Sequence, residues 1–323
     1  MNVLVTGGTG TVGLAIVERL AADGAEVTVY TATEPAGPAL QALRAMPGRI
    51  DLVQGDVRDG ERLRSILATR GIHSMIHGAA VTPGILRERD DPASVVEVNV
   101  VGAVTALTAF DDTCAGRFVH LGSIAAYGSA TTTRSLLVEE SGQERPGNLY
   151  EITKLAGEQA VLRVAELRGR EAVSLRLGDV FGCWEHRTAV RDMTSAPFQT
   201  LAAAMAGRPI VLPRAGTKAW VYTMDVAEAV LRALEAPSLP HRVANISSPY
   251  TWSVVDWCAR LAERFPGMSS RIDPDAANIT MFADNAPMSL ARAGQFGYTA
   301  SYGLDEAFEH YLAWAQRHPA FLR

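Results

Sequence analysis

Val3-Leu4-Val5-Thr6-Gly7-Gly8-Thr9-Gly10-Thr11-Val12-Gly13 is the stretch that decides how this chain folds. Residues 3–6 form a short, apolar, β-branched run of the kind that builds a buried strand. Residues 12–22 then carry apolar side chains at helical spacing. Between strand and helix, Gly7, Gly10 and Gly13 follow the pattern G-x-x-G-x-x-G. Glycines there allow a tight turn, let the backbone approach a pyrophosphate, and let the helix pack close to the strand. The helix N-terminus adds unpaired N–H groups and a partial positive charge. A structural turn could have the same composition. The strand before it and the helix after it favour a dinucleotide cradle made of Gly7, Thr9, Gly10, Thr11, Val12 and Gly13.

Outward from this turn, residues 26–30, 49–54, 73–77, 117–121 and 172–177 read as further strands. Residues 39–45, 61–68, 95–109 and 150–167 read as the helices between them. This alternation predicts an α/β fold, a Rossmann-type doubly wound parallel sheet that binds ligands at the carboxyl ends of its strands. After Gly182 the rhythm changes. Residues 198–206 and 226–234 read as helices, 210–212 and 219–222 as short strands, and 243–246 as a late strand of the main sheet. The expectation is a dinucleotide-binding domain over 1–182 with returning segments near 219–248. A smaller, interleaved C-terminal substrate-binding region would take most of 183–323.

A chain of 323 residues has room for a sizeable core. Its net charge of −5 gives no support to a nucleic-acid or anionic-membrane partner. Cys114, Cys183 and Cys258 lie far apart without C-x-x-C spacing, so neither a disulfide framework nor a metal site is expected, and a reduced, cytoplasmic setting is. The N-terminus lacks a basic, then apolar leader pattern, and no uncharged apolar stretch approaches bilayer length.

Tyr150-Glu151-Ile152-Thr153-Lys154 places Tyr150 and Lys154 on one helical face. A phenol with a reference pKa of about 10 is a poor base at neutral pH, and a neighbouring ammonium favours its phenolate form. The pair therefore suits general acid/base work. Upstream, the strand 117–121 delivers Gly122-Ser123 to the crevice, where Ser123 could hydrogen-bond a carbonyl or hydroxyl. Alone, Ser123 reads equally as an ordinary turn serine.

Together these elements resemble the extended short-chain dehydrogenase/reductase superfamily, from Met1 to about Ile246. Four more segments carry the likeness: Gly55-Asp56-Val57-Arg58-Asp59, His77-Gly78-Ala79-Ala80, Asn99-Val100 with Gly102, and Arg176-Leu177-Gly178-Asp179-Val180-Phe181-Gly182. The resemblance implies a nicotinamide dinucleotide, NAD or NADP. Asp56 would meet the adenine amine, and Val57, Ala79, Ala80, Asn99 and Val180 would add to the cofactor site. It implies Tyr150 as acid/base, Lys154 on the nicotinamide ribose and tuning Tyr150, and Ser123 polarising the reacting group. The end of the second strand, Val29-Tyr30-Thr31-Ala32-Thr33, holds no Asp, Glu or Arg to choose between the cofactors, so both stay open, with Thr31 or Thr33 as the donor to the ribose.

Dehydratases of the superfamily carry an Asp-Glu pair after the catalytic hydroxyl residue, whereas this chain has Ile124-Ala125. Its epimerases often carry Asn where Asp179 stands, and Arg near the position of Lys218. The leading expectation is a dehydrogenase or reductase for a secondary alcohol or ketone on a sugar-like substrate, with an epimerase and an inactive dinucleotide-binding regulator as alternatives. Thr82, Ser123 and Asp179 are the expected substrate contacts. Arg187 and Arg191 join them for an anionic group, with a solvated, salt-bridged loop as their bland reading. His186 reads as a pocket-wall residue, and Trp220, Trp252 and Trp257 as core. Glu139-Glu140 and 87–91 read as exposed charge. By analogy, the helices at 95–109 and 150–167 would pair two copies into a homodimer.

Overall fold

In the computed structural model, residues 1–32, 37–140, 142, 144–186 and 193–322 are described. The first half alternates as expected: β1 (Asn2–Thr6), α1 (Thr11–Ala22), β2 (Glu26–Thr31), α2 (Pro38–Ala45), β3 (Arg49–Gln54), α3 (Gly60–Thr69) and β4 (Ser74–His77). A short α4 (Ile85–Asp90) precedes a continuous apolar helix made of α5 (Pro92–Val96), a π-helical turn (Glu97–Gly102) and α6 (Ala103–Asp111). Next come β5 (Phe118–Ser123), a 3-10 turn (Ile124–Tyr127), α7 (Ala130–Thr133), the long α8 (Leu149–Leu167) and β6 (Ala172–Leu177).

Seven strands form one parallel sheet in the order β10-β6-β5-β4-β1-β2-β3, where β10 is Val243–Ile246. The chain winds from β1 out to β3, then returns to place β4 on the other side of β1. That reversal opens a crevice above the carboxyl ends of β1 and β4. Apolar residues on both faces of the strands explain why helices must cover both sides. Val3, Leu4 and Val5 are fully buried, packing against α1 residues such as Leu14 and Val17 on one face and against Leu63 and Leu107 on the other.

The remaining elements are β7 (Asp179–Phe181), α9 (Ala196–Met205), β8 (Ile210–Leu212), β9 (Trp220–Tyr222), α10 (Thr223–Glu235), α11 (Val254–Arg264), β11 (Ser270–Ile272), α12 (Ala291–Gly294) and α13 (Leu304–Arg317). β7 pairs with β9, and β8 with β11, each in parallel. Trp220, Trp252 and Trp257 are core, as their type suggests. Trp252 stacks on Trp220 at 5.2 Å and meets the edge of Phe181 at 5.3 Å.

Two expectations need correcting. The helix over Pro92–Asp111 is long and apolar enough to cross a bilayer, although no such stretch was expected. Its Ala106, Leu107 and Phe110 instead pack into the sheet's core. Glu139 is not exposed charge: it is 2% exposed, and its carboxylate accepts from the Asn245 N–H at 2.7 Å. A buried backbone donor needs a partner, and here a carboxylate supplies one.

Candidate active site

One cleft of about 1220 Å³ runs from the glycine turn, past Ser123 and Tyr150, to Lys218 and Asn285. Its first end is made of backbone. Gly10 N–H donates to Gly7 carbonyl at 3.0 Å, folding the turn, and Gly7 takes φ +67°, a left-handed conformation suited to glycine. A Cβ on Gly13 would lie 2.2 Å from the Gly7 oxygen, so α1 can pack this closely on the turn only with a glycine at that position. A Cβ on Gly10 would meet nothing nearer than that oxygen at 3.4 Å. Gly10 provides no side-chain cap for α1. The turn thus offers a shaped hollow in front of a helix N-terminus, which fits a pyrophosphate.

Thr9, Thr11, Val12, Thr31, Asp56, Val57, Ala79 and Ala80 all line this end. The Thr9 and Thr31 hydroxyls hydrogen-bond each other at 3.1 Å where the ribose would sit. Tyr30 braces the neighbouring loop through its hydroxyl, which donates to Asp56 carbonyl at 2.9 Å. Both Asp56 carboxylate oxygens accept from Arg58, which holds that carboxyl below its usual range.

Asn99 does not face this cleft, contrary to its expected place among the cofactor contacts. It is 4% exposed, and its side chain is satisfied by Val81 N–H at 2.8 Å, Val81 carbonyl at 3.0 Å and Thr153 hydroxyl at 3.1 Å. It ties the chain after β4 to α8 and so positions the helix that carries Tyr150.

Ser123 ends β5, and its hydroxyl oxygen accepts from Ala125 N–H at 3.1 Å, leaving its proton to donate into the cleft. Tyr150 lies in the first turn of α8. That turn is fixed three ways: Asn148 side chain accepts from Glu151 N–H at 2.9 Å, Glu151 carboxylate from Gly147 N–H at 2.7 Å, and Glu88 carboxylate from Leu149 N–H at 2.7 Å. The positive end of the helix favours a phenolate there. One turn further on, Lys154 is buried, and its ammonium donates to Leu121 carbonyl at 2.7 Å. Burial pushes its pKa down to about 8, while Glu158 pulls it up.

The far end is built from side chains. Asp179 accepts from the Lys218 ammonium at 2.9 Å and from the Asn285 side-chain amide at 2.5 Å. Asn285 in turn accepts from Ala219 N–H at 2.6 Å. Thr82, Val180, His186, Thr194 and Phe282 complete the lining. Among the described residues no cluster of metal-binding side chains occurs. Arg187 and Arg191, expected to meet an anion, lie outside the described residues, as does Thr33.

The stretch after Gly182 begins the pocket only from His186. Cys183, Trp184 and Glu185 are buried beneath it. Trp184 indole donates to Glu18 on α1 at 2.8 Å, and Glu185 accepts from Ser195 N–H and hydroxyl, each at 2.7 Å, holding the start of α9. Asn285, Thr194 and Phe282 were not expected at the site. Their loops have no periodicity to flag them, and Asn285 is 106 residues from Asp179.

A model of the NAD dependent epimerase/dehydratase family matches residues 3–247. A protein of Kitasatospora kifunensis named dTDP-6-deoxy-L-talose 4-dehydrogenase (NAD(P)(+)) is 32% identical over 252 residues, covering 76% of this chain and 74% of that protein. A UDP-glucose 4-epimerase of Streptomyces lividans is 26% identical over 262 residues, covering 78% and 77%. Among solved structures, MoeE5 in complex with UDP-glucuronic acid and NAD superposes with a TM-score of 0.79 at 23% identity, covering 98% of this chain and 99% of that one. At that identity the superposition speaks for the fold. Glycine cradle, Ser123, Tyr150 and Lys154 lie along one cleft, and the family model spans more than half of the sequence. The chain therefore belongs to the NAD-dependent epimerase/dehydratase family, enzymes that work with a nicotinamide dinucleotide.

Proposed function

We propose that the protein is an NAD(P)-dependent dehydrogenase or reductase acting on a secondary alcohol or ketone of a nucleotide-linked sugar. The observation that carries this reading is the placement of Ser123, Tyr150 and Lys154 between the glycine cradle and the Asp179–Lys218–Asn285 cluster, all on one cleft. When bound, the nicotinamide supplies the hydride acceptor or donor. Tyr150 then takes or returns the hydroxyl proton, Ser123 donates to the same substrate oxygen, and the Lys154 charge lowers the cost of the phenolate. Ile124-Ala125 after Ser123 offers no carboxylate to drive an elimination. The name of the Kitasatospora relative supports net oxidation and a sugar nucleotide.

The second reading, an epimerase that keeps its cofactor, is favoured by relatives such as the Streptomyces lividans protein. Incubation of the enzyme with sugar nucleotides and their 4-keto forms, with NAD and with NADP, separates the two. Stoichiometric formation or loss of reduced cofactor supports the dehydrogenase, and epimer formation without either supports the runner-up. No change with any pair would overturn both.

A homodimer is the assembly we favour, because Val96 and Val101 on the apolar helix and Ile152 on α8 are exposed aliphatics. Three buried free thiols fit a reducing, cytoplasmic setting.

A further inference from the structure

α8 carries a third residue on the face that bears Tyr150 and Lys154. Glu158 follows Lys154 by four positions, so the three side chains descend in line from the cleft toward the sheet. Glu158 is 2% exposed. It accepts from Ser174 hydroxyl at 2.9 Å and from Arg176 through Nε at 3.0 Å and Nη2 at 2.6 Å. Arg176, equally buried, spends its other arm on Glu144 at 3.0 Å and lies 4.6 Å over the Tyr127 ring. Gly122 makes room for this group: a Cβ there would come within 3.3 Å of the Glu158 carboxylate and 2.7 Å of Ser174 hydroxyl. Lys154 and Glu158 therefore both rest on Leu121-Gly122, the residues that deliver Ser123.

Resting on the reading of Lys154 as the tuner of Tyr150, we infer that Glu158 is a positioning residue whose buried negative charge, one helical turn away, keeps the Lys154 ammonium charged on its Leu121 carbonyl seat, with Arg176 locking Glu158 in place. Arg176 is ion-paired to both Glu158 and Glu144, so Glu158 lies one helical turn from Lys154 at the start of an alternating row of charges beneath the cleft. The other titratable groups there oppose a proton on Lys154 or are indifferent to it. His77 on β4 is pushed down to about 3 by burial, and His120 on β5 falls well below its usual value. Tyr127 is raised to about 12, and the π-helical turn contributes only the neutral Asn99. Glu158 is thus the group that counters burial at Lys154.

Lys154 and Lys218 are the only two lysines in the sequence, which lets the inference be tested without any substrate. Protein labelled with carbon-13 at lysine Cε gives two resonances, assigned with Lys218→Arg, and each is followed against pH. In the unaltered protein Lys154 should titrate near pH 8. In Glu158→Gln its midpoint should fall by about one pH unit or more, with Lys218 unmoved. A purely structural role would leave the Lys154 midpoint unchanged in folded Glu158→Gln protein, and that result would overturn the inference. Should the stranded Arg176 prevent folding, Glu158→Gln with Arg176→Met removes both buried charges. A midpoint still below the unaltered protein's is expected there, and an unchanged one would again overturn the inference. Because no turnover is measured, this result stands apart from the test of the proposed reaction.

Discussion

The two ends of the cleft are made by different means. At the glycine end the chain uses its own backbone: a tight turn, a helix N-terminus and hydroxyls from Thr9 and Thr31, most of it within one short stretch. At the Lys218 end it uses side chains from separate segments, with Asp179, Lys218 and Asn285 meeting across 106 residues of sequence. Backbone recognition suits a part of the ligand that never changes. A web of interlocked side chains can be altered one residue at a time, which suits selection among substrates.

Breaking the first end should have the larger effects, and the last two glycines of its motif should fail differently. Gly13→Val has no space, with the Gly7 oxygen 2.2 Å from any Cβ, so the strand–helix unit itself should be disrupted. A loss of about 3 kcal/mol or more is expected, visible as a large fall in melting temperature or as insoluble protein. An intact melting temperature would mean that the tight contact is not needed. Gly10→Ala fits the folded chain, since its φ of −80° is open to alanine. It should melt normally and yet bind NAD or NADP about tenfold more weakly, because the methyl fills the hollow. Unaltered cofactor titration would remove the pyrophosphate from this position.

At the second end, Lys218→Ala leaves Asp179 in the cleft without its cation. The expected result is a KM for the substrate about tenfold higher with cofactor affinity unchanged. A weaker cofactor instead would erase the division between the two ends.

A smaller, pH-dependent effect is expected outside the cleft lining, at Asp225 on α10. Its carboxylate accepts from the N–H groups of Ser301 (3.0 Å) and Tyr302 (3.0 Å), yet burial pushes its pKa up to about 6. A carboxyl raised above its unfolded value of about 3.9 binds its proton more tightly in the folded chain, so its contribution to stability is lost as pH rises through about 6. Asp225→Asn removes that dependence. Relative to the unaltered protein, the variant should gain about 2 kcal/mol between pH 4 and pH 7 in denaturant titrations. Parallel stability curves for the two proteins would show that Asp225 does not titrate in this range.

What could be read from the amino acids divides along the same line. The glycine turn, the strand–helix alternation and the spacing of Tyr150 and Lys154 are local patterns, and each lies where its period or motif puts it. Ser123 was legible once its strand was. Roles that depend on distant partners were not. Asn99 resembles a cofactor contact, yet it spends its amide on Val81 and Thr153. Glu139 stands beside another glutamate in a polar stretch, and only β10 reveals that Asn245 needs its carboxylate. Glu158 sits at the right spacing, but its importance emerges only when β6 brings Arg176 beneath it. Trp184 and Glu185 follow closely on the family-like segment 176–182 and precede His186, which lines the cleft. α1 and α9 claim their side chains instead.

The most direct measurement compares turnover and cofactor affinity in Tyr150→Phe, once an accepted substrate is in hand. The ring survives, and only the hydroxyl that carries the transferable proton is lost. Turnover at saturating cofactor should fall by about three orders of magnitude, with the dissociation constant for the dinucleotide within about threefold of the unaltered protein's. A variant that retains more than about a tenth of the original turnover would contradict the assignment of Tyr150 as the proton-transferring group.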